Sequence, residues 1–124
     1  MNSDNTGPRL FDIRIDHVGD IPVAVLSGDL DVATVPLLDR AAVPLFTATT
    51  PGLVIDLAGV AFCGSAGLGW FMEARDRAMK LDFPLVLTGC RPMMLRLLEL
   101  TGLLPLFDRR SDSAEAVADL LASR

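Results

Sequence analysis

The first apolar positions of the chain alternate with charged ones, which predicts an exposed edge strand. Phe11 and Ile13 fall on one side of a strand over 10–18, while charged residues occupy the other side. Residues 19–22 predict a turn, and residues 23–26 predict a second, more deeply buried strand. Together these segments predict a hairpin whose outer strand is half exposed.

Two later runs are predominantly apolar, which predicts strands buried on both faces. They cover 52–57 and 83–88, and strands of this kind belong to the interior of parallel sheets. The pair Leu106-Phe107 predicts a last short strand. Each of the three follows a segment with helical spacing, so strands and helices alternate along the chain.

Apolar residues at helical spacing predict four helices. The first covers 35–47, with Thr34 as its N-cap and Pro44 causing a kink or an early end. Two others cover 91–100 and 114–123.

The longest predicted helix begins at Ser65. Its inner side is predicted to carry Leu68, Phe71, Met72, Met79 and Leu81. Trp70 falls beside this side, so core packing and partner contact both remain open for it. The last helix is predicted to be capped by Ser111 or Ser113.

The alternation of strands and helices predicts one α/β domain over 10–121. Its mostly parallel β-sheet would have right-handed crossover helices and an N-terminal antiparallel edge strand. The polar residues 1–9 predict a disordered leader. A chain of 124 residues with 51% hydrophobic content can form one core without a disulfide or a metal.

The charge balance argues against a nucleic-acid partner. The chain has 11 basic and 16 acidic residues, a net charge of -5, and no basic cluster larger than Arg109-Arg110. No uncharged apolar run approaches the ~20 residues that cross a bilayer, and the first residues lack the order of a signal peptide. We therefore expect a cytoplasmic protein that binds neither nucleic acid nor a membrane.

Ser65 follows a buried strand and stands at the mouth of a predicted helix, where two interpretations are open. A phosphate there would meet unpaired backbone N–H groups and would add about -1.5 to -2 charges. Against an acidic or apolar partner, that charge would cost roughly 3 kcal/mol, about a hundredfold in affinity. The other interpretation is that Ser65 is an N-cap, which contributes ~1 kcal/mol.

The same serine does not predict an enzyme. A nucleophile elbow needs glycine where this chain has Cys63, and the single histidine, His17, belongs to the opening hairpin. A phosphate-binding P-loop needs a lysine that is missing after these glycines. Cys63 and Cys90 have no metal-ligand spacing. The sequence therefore predicts no enzymatic activity, no cofactor, no metal and no small-molecule substrate.

Further candidate residues follow neighbouring predicted strands. Because carboxyl ends of parallel strands share one crevice, Asp31, Thr34 and Ser65 could share a surface, with Asp31 accepting a hydrogen bond from the serine hydroxyl. The alternative is an acidic turn before a helix. Cys63 and Cys90 also end successive strands, so they could form a reversible disulfide; the alternative is two buried free thiols.

Three motifs, in order, resemble the STAS domain of anti-sigma factor antagonists. They are Gly28-Asp29-Leu30-Asp31, Val54-Ile55-Asp56-Leu57 and Phe62-Cys63-Gly64-Ser65-Ala66-Gly67-Leu68-Gly69. The family's motifs are Gly-Glu-Leu-Asp and Phe-Met-Asp-Ser-Ser/Thr-Gly-Leu-Gly at similar separation. The stretch Leu-Glu-Leu-Thr-Gly-Leu over 98–103 is a further likeness, and the resemblance covers about 10–121.

This resemblance implies a STAS fold and a function in bacterial partner switching. The unphosphorylated protein would bind a serine-kinase anti-sigma factor, which frees a sigma factor for transcription, and phosphorylation of Ser65 would end the binding. Asp31 would be the acidic neighbour of that serine. The full set of predicted partner-binding residues is Asp31, Thr34, Gly64, Ser65, Gly67, Leu68 and Gly69.

The chain departs from the family pattern on both sides of the serine. The family's aspartate before it is Gly64 here, which removes a group that could orient or activate the hydroxyl. The Ser/Thr after it is Ala66, which leaves Ser65 as the only acceptor in the loop. The alternative function is therefore an unphosphorylated STAS scaffold or accessory subunit of a larger complex. The sequence also leaves a homodimer open.

Overall fold

The computed structural model describes residues 10–123 and contains one five-stranded sheet in the order β1-β2-β3-β4-β5. The first pair of strands is antiparallel and the others are parallel. The strands are β1 (Asp12–Val18), β2 (Ile21–Leu30), β3 (Leu53–Cys63), β4 (Leu85–Thr88) and β5 (Asp108–Arg110). The predicted fold class is confirmed, and the predicted leader over 1–9 lies outside the described residues.

The helices of residues 10–123 follow the predicted order between these strands. They are α1 (Val35–Ala42), α2 (Ser65–Leu81), α3 (Pro92–Leu100) and α4 (Ser113–Ala122), with 3₁₀ turns at Val43–Leu45 and Leu104–Leu106. The α-helical part of the first helix ends before Pro44, as predicted, because proline has no N–H to continue the hydrogen-bond ladder.

The sheet extends further than the sequence pattern indicates. Ile21 and Pro22 belong to β2 and not to the turn, because Ile21 is fully buried in the core under α4. The third strand continues past Leu57 to Cys63, with two register shifts against β2. Such bulges admit extra residues into a strand without ending its pairing.

Two predictions near the C-terminus are wrong. The last strand is β5, not Leu106-Phe107, because Phe107 is buried in the core and the pairing with β4 falls on the next three residues. The cap of α4 is Asp112, whose carboxylate accepts a 2.8 Å hydrogen bond from the N–H of Glu115. The carboxylate of Glu115 accepts a 3.0 Å hydrogen bond from the N–H of Ser111, the residue before the cap, which fixes the approach of the chain to the helix.

The central strands are covered on both faces. Helices α1, α2 and α3 pack over the main core, whereas α4 alone covers the second, smaller cluster. On α2, Leu68 and Phe71 are buried, and Met72 and Leu81 pack partly buried against the same core. Met79 is 62% exposed, so its predicted inward placement is wrong; Ala78 takes the inner position one residue earlier.

Trp70 joins the first two helices and belongs to the core. Its side chain is only 4% exposed, and its indole Nε1 donates a 3.0 Å hydrogen bond to the carboxylate of Asp39 on α1. The guanidinium of Arg77 lies 3.4 Å from the same carboxylate. Of the two interpretations left open for Trp70, core packing is the one observed.

Removing the partner of this buried indole should destabilise the fold. Asp39→Ala leaves a buried N–H without an acceptor, so we expect the free energy of unfolding to fall by about 1–3 kcal/mol. Asp76→Ala is the control, because Asp76 is exposed and lies 3.9 Å from Arg75; its effect should stay within about 0.5 kcal/mol. Urea unfolding followed by circular dichroism measures both, and equal losses would contradict the structural role of Asp39.

Candidate functional site

The candidate site lies where β2 and β3 end side by side. Leu30, the last residue of β2, pairs with Cys63, the last residue of β3. The N–H of Gly64 then donates a 2.9 Å hydrogen bond to the carbonyl of Leu30. The loop carrying Asp31 and the loop carrying Ser65 therefore both begin at the carboxyl ends of these two parallel strands, as the strand topology predicts.

Asp31 and Thr34 form a hydrogen-bonded turn ahead of α1. The Asp31 carboxylate accepts from the N–H groups of Ala33 at 2.9 Å and Thr34 at 3.1 Å. The Thr34 hydroxyl donates to the carbonyl of Asp29 at 2.7 Å and accepts from the N–H of Asp31 at 3.0 Å. Thr34 stands at the N-cap position, but its hydroxyl caps nothing in the helix. These side chains hold the loop in place.

Ser65 is the first residue of α2, and Gly64 is the N-cap. The N-cap interpretation of Ser65 is therefore wrong. The Ser65 side chain is exposed and makes no hydrogen bond to any residue of 10–123; the expected bond to Asp31 is not formed. The Ser65 hydroxyl is therefore exposed to solvent and has no hydrogen-bond partner among residues 10–123.

The N-terminus of α2 has no side-chain cap and no acidic residue in its first turn. The helix is 17 residues long, so its first N–H groups and its dipole present a partial positive charge beside Ser65. By contrast, α4 has a side-chain cap, Asp112, and an acidic residue, Glu115, in its first turn. The serine hydroxyl therefore lies next to donors that suit an anion.

The last three residues of the motif, Gly67, Leu68 and Gly69, differ in their exposure to solvent. Gly67 and Leu68 are buried, so they support the loop from the inside. A Cβ atom on Gly67 would lie 2.6 Å from the Cys63 sulfur, whereas one on Gly69 would meet nothing within 4 Å. Gly69 is exposed one helical turn after Ser65. Partner binding stays a prediction for all seven residues, and of these three Gly69 is the one that a partner can reach directly.

The two cysteines are free and have different surroundings. Cys63 lies under α2 beside Gly67, whereas Cys90 lines a groove with Arg109 and Ser111. Burial raises the pKa of the Cys63 thiol to about 11, and burial also raises the pKa of Cys90. A thiol with a raised pKa forms little thiolate at neutral pH. The free thiols agree with the second interpretation, and a reversible disulfide between the two cysteines stays a prediction.

Residues 10–123 contain no cluster of three His, Cys, Asp or Glu side chains that could hold a metal ion. Within the same range, no helix is long and apolar enough to cross a membrane. His17, the single histidine, pairs with Pro22 in the hairpin and makes no hydrogen bond to Ser65.

Comparison with known proteins agrees with the fold and identifies the family. A family model described as "Mlab, STAS domain" matches residues 13–106. An anti-sigma-B factor antagonist of Staphylococcus epidermidis is 35% identical over 78 residues, which cover 63% of this chain and 72% of that protein. The chain therefore belongs to the STAS-domain family of anti-sigma factor antagonists. As a member of that family it is a regulatory protein and not an enzyme.

Solved structures share the same architecture. An anti-sigma factor antagonist from Mycobacterium paratuberculosis is 26% identical, with a TM-score of 0.80 over 90% of this chain and 94% of that one. The unphosphorylated form of the antagonist SpoIIAA is 16% identical, with a TM-score of 0.76 over 90% of this chain and 97% of that one. Bacillus SpoIIAA has also been solved in a phosphorylated form.

The sequence motifs gave no indication of an apolar surface next to the serine. Phe62 is 50% exposed, and it lines a groove with residues of α3. The signal that could have found it is the pair Met93 and Leu100, two exposed apolar residues seven positions apart on a helix whose other side forms the core.

The two glycines of α2 should respond in opposite ways to a methyl group. Gly67→Ala forces a Cβ into the Cys63 sulfur, so we expect the free energy of unfolding to fall by about 1–3 kcal/mol. Gly69→Ala adds a Cβ in open space and removes backbone entropy from the unfolded chain, so it should gain about 0.5–1 kcal/mol. Thermal unfolding compares the two, and a loss at both positions would contradict the described packing of α2.

Alkylation should show the raised pKa of Cys63. At pH 7.5 the folded protein should react slowly with iodoacetamide, and the rate should rise as the pH approaches 11, since only the thiolate attacks. Peptide mass spectrometry gives the rate at Cys63, with the urea-unfolded chain as the fast control. Equal rates for folded and unfolded protein at pH 7.5 would contradict the burial of this thiol.

Proposed function

We propose that this protein binds a serine-kinase anti-sigma factor in the cytoplasm and that phosphorylation of Ser65 ends the binding. The observation that carries the proposal is the exposed, unengaged Ser65 hydroxyl at the uncapped N-terminus of α2. A kinase can reach such a hydroxyl without breaking any hydrogen bond or opening the core.

The phosphorylated state is compatible with the fold. Phosphoserine brings about -1.5 to -2 charges, and the free N–H groups of the first turn together with the helix dipole favour an anion there. No acidic residue in that turn opposes it. The effect of the phosphate therefore falls on the partner, which would meet a new charge at the centre of its contact.

A second candidate function is an unphosphorylated STAS scaffold or accessory subunit in a larger complex. Gly64 favours it, since a glycine before the serine supplies no carboxylate to orient the hydroxyl. The Asp31 carboxylate does not replace it, because it bonds to the loop in front of α1.

Phosphorylation in vitro separates the two candidates. The purified protein is incubated with ATP and each serine-kinase anti-sigma factor encoded in its source genome, and the phosphate is located by peptide mass spectrometry. We expect one phosphate, on Ser65, that is absent from Ser65→Ala and retained in the matched variant Ser111→Ala. Tight binding by a kinase with no phosphate on Ser65 would favour the scaffold, and no binding at all would refute the proposed partner class.

The binding arm of the proposal has its own expected result. Ser65→Ala should bind the kinase as tightly as the wild type, whereas the phosphorylated protein should bind about a hundredfold more weakly. Isothermal titration calorimetry in the absence of ATP measures both dissociation constants. Equal dissociation constants for the phosphorylated and unphosphorylated protein would show that phosphorylation does not control binding.

Restoring a carboxylate before the serine should increase the rate of phosphorylation. Gly64 has an extended conformation at φ -92°, which any residue can adopt, and a Cβ there would be in ordinary contact with Phe62 at 3.4 Å. Gly64→Asp should therefore fold, and as an N-cap it should stabilise α2 by a few tenths of a kcal/mol, roughly. Initial phosphorylation rates are compared with those of Gly64→Asn, and equal rates would mean that the carboxylate does not matter.

A further inference from the structure

The first strand forms an open edge of the sheet, and its backbone determines how another strand can pair with it. Within residues 10–123, β1 is paired on one side only, with β2. Opposite residues in an antiparallel ladder alternate between pairs that exchange two hydrogen bonds and pairs that exchange none. His17 is paired with Pro22, which has no N–H, so this pair is of the second kind. The N–H and C=O groups of His17, Ile15 and Ile13 therefore point away from β2, toward the open edge.

The side chains of β1 alternate between two different surroundings. Ile13 and Ile15 are partly buried and pack against the main core. Arg14 and Asp16 lie on the opposite face, where they line a groove beside α4 and pair with each other at 3.1 Å. Their side chains are 65% and 44% exposed, so both can reach a further partner. The edge thus presents two exposed and opposite charges, one on each side of Ile15.

A second copy of β1 fits this edge in a register centred on Ile15. Ile15 is the middle residue of the seven in β1, so antiparallel pairing about a two-fold axis there pairs the whole strand. Arg14 of one copy then lies opposite Asp16 of the other, in two symmetric pairs. The outward backbone groups of Ile13, Ile15 and His17 form the hydrogen bonds of this ladder. Arg14 and Asp16 therefore fall in non-hydrogen-bonded pairs, in which the side chains approach each other most closely.

The other two-fold registers are opposed by charge or by length. An axis at Arg14 would place two arginines directly opposite each other, and an axis at Asp16 would do the same with two aspartates, which is destabilising. An axis at Ile13 or His17 would leave most of β1 unpaired with the second β1. Charged side chains discourage foreign strands from pairing with an exposed edge. In this chain the same charges favour one register with a like strand.

We propose that β1 is a dimer interface, through which two copies of this chain join their five-stranded sheets into one continuous sheet with reciprocal Arg14–Asp16 pairs across the axis. The interface does not depend on phosphorylation of Ser65, because β2 separates β1 from the strand that leads to the serine. The two-fold axis reverses the direction of the strands, so the two Ser65 sites face opposite ways. One dimer can therefore carry two partners at once.

Sedimentation equilibrium of charge-reversal variants tests this interface. One strand from each copy makes a small interface, so the wild type should dimerise with a dissociation constant on the order of 10–100 µM. Arg14→Asp and Asp16→Arg each place like charges opposite each other and should raise that constant about 10- to 100-fold. The double variant Arg14→Asp/Asp16→Arg restores opposite charges and should dimerise like the wild type. Arg110→Asp is the matched control, because it makes the same change of charge on the exposed strand β5 at the other edge of the sheet.

A mixture of the two single variants gives a second, independent measurement. Each variant alone should be mostly monomeric, whereas the equimolar mixture should form a heterodimer, because every pair across the axis again joins opposite charges. The mixture and the double variant also decide the question if a single variant is less stable than the wild type, since both restore the complementary pairs.

Four results would overturn the proposal. They are a wild type that stays monomeric up to about 1 mM, single variants that dimerise like the wild type, a loss of dimer that Arg110→Asp shares, and a mixture and double variant that both stay monomeric. A monomeric wild type that Ser65 phosphorylation still controls would leave the proposed function intact, since the two rest on different surfaces.

Discussion

The parallel registration of β2 with β3 is the constraint on which the site depends. Leu30 and Cys63 pair at the final step of the two strands, and the N–H of Gly64 binds the carbonyl of Leu30 immediately afterwards. Both strands are held in the core by fully buried residues such as Leu26 and Ile55. A slip of one residue would turn those side chains to the wrong face, so the position of the two loops is as fixed as the core itself.

The side chains of the two loops have different functions in the structure. Asp31 and Thr34 satisfy the backbone of their own loop, which makes it rigid and leaves them little capacity to contact the serine. Gly67 lets α2 approach Cys63 more closely than any side chain would permit. The hydroxyl of Ser65 is the group left without a structural task, because its neighbour Gly64 takes the N-cap position. The exposed apolar side chains beside it, Phe62 and Leu100, likewise contribute little to the core.

Where the sequence-based predictions failed, a tertiary contact prevailed over a local preference. Pro22 has the composition of a turn but lies in β2, because Ile21 beside it is buried under α4. Asp112 caps α4 in place of either neighbouring serine because the carboxylate reaches the N–H of Glu115. Local patterns contain no information on these distances.

The sequence by itself determined the order of elements, the parallel sheet and the place of Ser65 at the start of a helix. These follow from the periodicity of apolar residues and from glycine and proline positions, which are local properties. The tertiary structure alone decided that Trp70 is in the core and that Gly67 and Leu68 are covered while Gly69 is open. It also decided that Phe62 lines one groove with residues of α3. Those outcomes depend on which elements pack together and how closely. The contacts that stabilise this packing join residues that are far apart in the chain, so local sequence patterns do not determine them.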